Sequence, residues 1–304
     1  MTAGIRYPLA ACLLAFALAL LAACQPAPDG APTRSQHGAT AVPEAAERPV
    51  DAVYFLRDRL LARDGAGFAK IAVPPELYAP LETAWSAGRS RWPLDELPLD
   101  ARIPRMLAAL QAPNADKALM KTFKRQFAGA DADIDQAVRT LVVFGSGYIE
   151  KDPSYNDEER KHTAQALHAI GRWAVAAPLA DPKRAQPFFS ALSAAAVRTG
   201  IDGRGKWQPF ISLGMTQSLN RLSPFFATLI AQLREQYGLD IDASLRSVHV
   251  TLLQQLDDRA TLRLQYTLAG QEIDALLPAV RLHNRWYLEE YVQRAELSAA
   301  GISR

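Results

Sequence analysis

The residues best placed to do chemistry are Glu159 and His162, in the run Glu159-Arg160-Lys161-His162. One helical turn apart, this E-x-x-H spacing presents a carboxylate and an imidazole as di-iron bundles do. Such a centre also needs a second copy of the motif and two further glutamates on facing helices, and the chain has no second copy. His168 does not complete the set, because six residues at about 100° each carry it roughly 120° around the helix from His162. Glu159 has another role open to it: three residues after Asn156, it can close a capping box at a helix start. Together with Asp157, Glu159 and His162 are the carboxylates and imidazole from which a hydrolytic site, metal-dependent or not, would have to be assembled.

Three further patterns resemble reactive motifs and fail a defining test. Gly200-Ile201-Asp202-Gly203-Arg204-Gly205-Lys206 fits the frame of a phosphate-binding loop, but Trp207 stands where Ser or Thr must hold magnesium. The Ala-rich stretch before it reads as helix, whereas a phosphate loop follows a strand, so a turn between helices is expected. Asp131-Ala132-Asp133-Ile134-Asp135 opens like a calcium loop, yet Gln136 replaces the glycine of position six and Val142 the glutamate of position twelve. Acidic side chains at a helix amino end, where the helix dipole favours them, account for the run. Gly145-Ser146-Gly147 is not the G-x-S-x-G of a nucleophile elbow; it is expected to interrupt a helix that runs from Asp135 to Phe144.

Two surfaces could serve binding. Lys117, Lys121, Lys124 and Arg125 line one face of a segment whose other face carries Leu119, Met120, Phe123 and Phe127. Such a basic amphipathic helix can lie on anionic lipid or simply be solvated. Tyr54, Trp85, Trp92, Trp173 and Trp207 could line an apolar ligand groove. With 34 basic and 32 acidic residues among 304, the formal charge is only +2. That excludes a strongly basic nucleic-acid binder and an acidic disordered chain.

The amino end carries an address. Arg6 precedes the apolar run from Leu9 to Ala23, a basic n-region and an h-region too short for a comfortable membrane span. The run closes on Leu21-Ala22-Ala23-Cys24, which resembles the lipobox of bacterial lipoproteins. The resemblance implies a signal peptide over residues 1–23, cleavage before Cys24 and acylation of that cysteine. It implies a periplasm-facing protein of the cell envelope, with the outer membrane favoured because Gln25 is not the aspartate of inner-membrane retention. Both cysteines lie within the first 24 residues, so the body has no disulfide and no cysteine-ligated metal. Residues 24–49 are Pro-, Ala- and Thr-rich and read as the acylated cysteine with a flexible tether.

The elements that must position any site follow from periodicity. Residues 50–238 carry helical spacing: Val53, Leu56, Leu60 and Leu61 form one stripe, Asn156 to Ala177 and Pro182 to Thr199 form helices, and Ser223-Pro224 reads as the capped start of a helix ending at Gly238. From residue 239 the period becomes two. Val250 and Leu252 alternate with His249 and Thr251, and Leu262, Leu264, Tyr266 and Leu268 with polar neighbours. His283-Asn284 suits a two-residue hairpin loop, and Pro278 marks an edge or bulge. The expected fold is α+β: a mainly helical array, then an antiparallel meander of three to four strands over residues 239–304, packed on the helices. The meander, ending in Trp286-Tyr287-Leu288, resembles the sheet half of NTF2-like lipoprotein domains. The functional expectation is a membrane-anchored, non-enzymatic lipoprotein that serves as a scaffold or binds an envelope protein or an apolar ligand, with no cofactor and no nucleic acid. The alternative is an envelope hydrolase.

Overall fold

A computed structural model of the chain describes residues 46–97, 100–153, 155–201 and 204–302. The signal segment, Cys24 and most of the tether lie outside the described residues, as do Asp202 and Gly203 of the phosphate-loop frame. The tether's last residues belong to the body: Ala46 is buried, and its carbonyl accepts the Trp286 amide at 2.9 Å.

Among the described residues ten helices come first: α1 (Pro49–Leu61), α2 (Gly65–Ala72), α3 (Pro75–Ser86), α4 (Ile103–Gln111), α5 (Ala115–Gln126), α6 (Asp131–Lys151), α7 (Asp157–Ala176), α8 (Pro182–Arg198), α9 (Gln208–Leu213) and α10 (Met215–Tyr237). A short α11 (Ile241–Arg246) leads into β1 (His249–Leu256), β2 (Arg259–Leu268), β3 (Gln271–Leu282) and β4 (Arg285–Leu288). Helix α12 (Glu289–Ala299) follows. The architecture is therefore α+β, with the strands in the order β1-β2-β3-β4 and every pair antiparallel. Helices α11 and α12 stand within the stretch read from sequence as sheet alone.

Several helix starts obey local chemistry. Asp64 caps α2 by accepting the Gly67 amide at 2.7 Å, and Asp181 caps α8 ahead of Pro182. Gly238, at φ 72°, ends α10 in the left-handed conformation that glycine adopts without penalty. Two expected boundaries are overturned. Helix α10 begins at Met215, so Ser223 is no cap; its hydroxyl donates to Leu219 O at 2.9 Å, and Pro224 sits inside the helix. The proline costs about 3 kcal/mol in a helix interior. Burial of Met215, Leu219, Leu222, Phe225, Leu229 and Leu233 along one stripe, at about 1.5–3 kcal/mol each, outweighs it.

Gly145-Ser146-Gly147 likewise interrupts nothing, because α6 runs through it. Gly145 instead permits close packing: a Cβ there would lie 2.9 Å from Leu167 Cδ2 of α7.

The sheet shows the expected period of two in β2, where Ala260, Leu262, Leu264, Tyr266 and Leu268 are buried. The same alternation fails in β1. Only Val250 is buried, while Leu252, Leu253 and Leu256 are exposed. An irregularity between Leu252 and Gln254 inserts Leu253 into the register, and β1 is an edge strand. His283 and Asn284, at φ 50° and 61°, form the two-residue loop between β3 and β4. Pro278 lies one residue beyond the reach of β4, whose pairing stops at Ala279, so the missing amide hydrogen interrupts no β3–β4 ladder.

One hydrophobic cluster extends from Val53 and Leu56 of α1 through Trp85, Trp92 and Phe225 to Leu262, Leu277 and Trp286 of the sheet. A polar latch adds to it where β4 is too short to cover β3. Gln165 of α7 donates to Asp274 O at 2.8 Å and accepts from Asp274 N at 3.0 Å. The side-chain amide thereby satisfies a strand edge that would otherwise be left open.

Candidate functional site

Glu159 and His162 come from the first two turns of α7, whose start is the capping box read from the sequence. Asn156 Oδ1 accepts the Glu158 and Glu159 amides at 3.0 and 2.9 Å, and Glu159 Oε2 accepts the Asn156 amide at 2.8 Å. Both side chains line one concavity with Glu290 and Arg294 of α12. Asp157 does not join them; it is exposed and paired with Arg160 at 2.7 Å. His162 is buried, and its Nε2 shares a hydrogen bond with the Tyr266 hydroxyl at 3.0 Å. Burial pushes its pKa down to about 4, so the imidazole is neutral at physiological pH. Among the described residues no three His, Cys, Asp or Glu side chains are grouped to hold a metal ion.

The strongest electrostatic feature beside this concavity was not apparent from sequence. Arg294 pairs with Glu96 of the turn Leu94–Glu96 and with Glu290, while Glu159 Oε1 lies 4.0 Å away. Burial pushes the Glu96 carboxyl up to about 8 against the pull of Arg294, and burial also raises Glu290. Burial opposes the charge on Arg294, but Glu96 and Glu290 together hold it protonated. A single cation facing several carboxylates explains why the cluster retains a proton. Glu96 lies 198 residues from Arg294 in sequence, a juxtaposition that no local spacing encodes.

The remaining candidates disperse. Asp131 and Asp133 occupy the first turn of α6. Ser146 Oγ and His168 Nε2 stand 3.4 Å apart on the exposed α6–α7 surface. Lys117, Lys121, Lys124 and Arg125 are all exposed on α5, opposite buried Leu119, Met120 and Phe123. Of the five aromatics read as a groove, Trp85 and Trp92 are core residues, Trp173 donates its indole N–H to Tyr237 O at 2.8 Å, and Tyr54 accepts the Val250 amide at 3.1 Å. Trp207 packs on Phe210 at 4.9 Å between ring centroids.

None of the five borders the most apolar of the cavities among the described residues. It has a volume of about 210 Å³ and lies where α1, α2, α10 and α11 meet β2 and α12. Its walls are nearly all carbon, from Leu60, Phe68, Leu219, Phe226, Ile230 and Leu245. Eight polar side chains also border them: Arg59, Arg63, Asp64, Glu96, Ser223, Ser244, Tyr266 and Tyr291. The apolar lining residues follow the same helical spacing as core residues, so the sequence held no signal to separate wall from core. Such carbon walls favour a hydrocarbon: an enclosed apolar cavity of about 150 Å³ stays dry and takes up benzene. Comparison with known protein families, with curated proteins and with solved structures finds no match to this chain.

Proposed function

We propose that the protein is a lipoprotein of the bacterial cell envelope, anchored through acylated Cys24, that binds an apolar ligand without chemically transforming it. The observation that carries the binding role is the carbon-walled cavity between the helices and the sheet. Pockets for small ligands have this character, mostly apolar with a few polar groups to fix orientation. The anchor rests on the Leu21-Ala22-Ala23-Cys24 sequence. No helix among the described residues is long and apolar enough to cross a membrane, and several acyl chains on Cys24 would hold the protein stably at a bilayer.

The binding role is tested on the mature chain carrying Cys24→Ala, which has no acyl group of its own. The uncharged fluorophore N-phenyl-1-naphthylamine is expected to brighten and saturate at one site. Leu245→Trp, which fills the cavity, is expected to abolish that signal while thermal unfolding stays cooperative. Absence of saturable binding to the unfilled protein refutes the reading. The anchor is tested separately by intact mass, which should show cleavage before Cys24 plus acyl mass.

A further inference from the structure

Among the described residues the outer face of α6 is left uncovered. The inner face, with Val138, Val142, Gly145 and Ile149, rests on α7. The outer face carries Asp133, Ala137, Leu141, Phe144, Tyr148 and Lys151, all exposed. Steps of three and four residues place these six on one stripe. Leu141, Phe144 and Tyr148 are 59%, 73% and 48% exposed. With Val143 they make four of the eight large apolar side chains exposed among the described residues. The patch is therefore concentrated, unlike the single apolar residues that any surface carries.

The stripe is ordered by chemistry: an acid at its amino end, apolar side chains in the middle and a base at its carboxyl end. A copy of the same stripe running the opposite way matches it end to end. With Phe144 set against Leu141 of the copy, Tyr148 meets Ala137 and Lys151 reaches Asp133, and each pair occurs twice about a two-fold axis. Antiparallel alignment also sets the two helix dipoles head to tail. A parallel pair would oppose Asp133 to Asp133 and Lys151 to Lys151. An anionic bilayer fits the face poorly, because Asp131, Asp133, Asp135 and Glu150 of α6 outnumber Arg139 and Lys151. Helices that lie on such lipid carry Lys and Arg on their polar face.

We propose that the outer face of α6 is a self-association surface, on which a second copy of the chain packs its own α6 antiparallel. Leu141, Phe144 and Tyr148 form the apolar centre, and Asp133 pairs with Lys151 at both ends. The stripe is about 27 Å long from Asp133 to Lys151 at 1.5 Å per residue. A contact of one helix face is at the small end of protein interfaces, where association is weak and reversible.

The test is sedimentation velocity of the mature Cys24→Ala chain from micromolar to near-millimolar concentration. A concentration-dependent shift from monomer to dimer is expected. Phe144→Glu is expected to weaken the dimer at least about thirtyfold. Thermal unfolding should not change, because Phe144 is already exposed. Lys151→Asp and Asp133→Lys are each expected to weaken it about fivefold, and the two in one chain to restore it. Cross-linking fixes the direction, since this chain has no other thiol. Asp133→Cys mixed with Lys151→Cys should join through a short bis-maleimide more readily than either variant with itself. A monomer at every concentration overturns the proposal, as does a dimer indifferent to Phe144→Glu. Preferential linking of Asp133→Cys to itself overturns the antiparallel arrangement. A monomer whose sedimentation with phosphatidylglycerol vesicles is abolished by Phe144→Glu would assign the face to lipid instead.

Discussion

His162 Nε2 and the Tyr266 hydroxyl lie 3.0 Å apart, joining α7 to β2 across 104 residues of sequence. This bond engages the one imidazole that an E-x-x-H metal site would need, and it lies in surroundings that disfavour a charged ring. The unfolded chain takes up a proton near pH 6.5, while the folded imidazole resists it until about 4. The stability that His162 contributes is therefore complete above pH 6.5 and is lost as pH falls to about 4, a loss of about 3 kcal/mol. Gln can keep a hydrogen bond to Tyr266 without titrating. Urea unfolding at pH 4.5, 5.5 and 6.5 should show wild type losing stability relative to His162→Gln as the pH drops. A constant difference would contradict the buried neutral imidazole.

Arg294 and its carboxylates act in the opposite direction. Glu96 is held at about 8 in the fold, above the ordinary glutamate value of 4.5. Its contribution is complete below pH 4.5 and is lost as pH rises to about 8. Well above pH 6.5 the histidine is neutral in both states, so the slope there belongs to the raised carboxyls of Glu96 and Glu290. Glu96→Gln is expected to flatten stability between pH 6.5 and 8. Arg294→Met strands buried carboxylates and is expected to cost about 3–5 kcal/mol at neutral pH. Adding Glu96→Gln to Arg294→Met should restore part of that loss, as read from urea midpoints.

The contrast between these two clusters shows how much the sequence discloses. The Asn156–Glu159 capping box, the Gly238 stop, the His283-Asn284 loop and the alternation of β2 were legible because each depends on residues a few positions apart. Ser223-Pro224 misled because a local cap signal was weighed without the apolar stripe that carries α10 through it. Leu252 misled because strand periodicity says nothing about whether a neighbour covers that end of the sheet. Arg294 with Glu96, Gln165 with Asp274, and the cavity itself are products of tertiary packing between distant segments. The sequence offered their parts but no means of pairing them. The anchor proposed at Cys24 is the reverse case, resting entirely on neighbouring residues.

Gly171 of α7 lies so close to α6 that a Cβ there would stand 2.4 Å from Val142 Cγ2. Val142 is β-branched and stiff at χ1, so it cannot simply swing aside. Alanine would gain about 1 kcal/mol of helix propensity over glycine, yet overpacking costs about 1–3 kcal/mol. Gly171→Ala is therefore expected to destabilise the protein. Val142→Ala should relieve the clash, so that the double variant is more stable than the two single effects added together. A double-mutant cycle from denaturant unfolding measures this coupling, and strict additivity would show that the helices separate freely.

Lys117, Lys121, Lys124 and Arg125 are exposed on α5, and none has a carboxylate partner among the described residues. Leu119, Met120 and Phe123 are buried beneath them, which fixes the face that the helix turns outward. A protein tethered at a bilayer through Cys24 would bring such a face near anionic headgroups. Each basic residue close to the surface contributes about 1 kcal/mol, and the attraction decays over about 10 Å at 0.1 M salt. The mature Cys24→Ala chain is expected to sediment with phosphatidylglycerol vesicles at low salt, not with phosphatidylcholine vesicles, and to be released by high salt. Reversing all four residues to Glu should lower partitioning by about two orders of magnitude or more. Reversing exposed Arg246 should leave it nearly unchanged. Equal loss in both variants would mean that overall charge, and not this helix face, governs the attraction; indifference of the wild type to lipid charge would leave α5 an ordinary solvated surface.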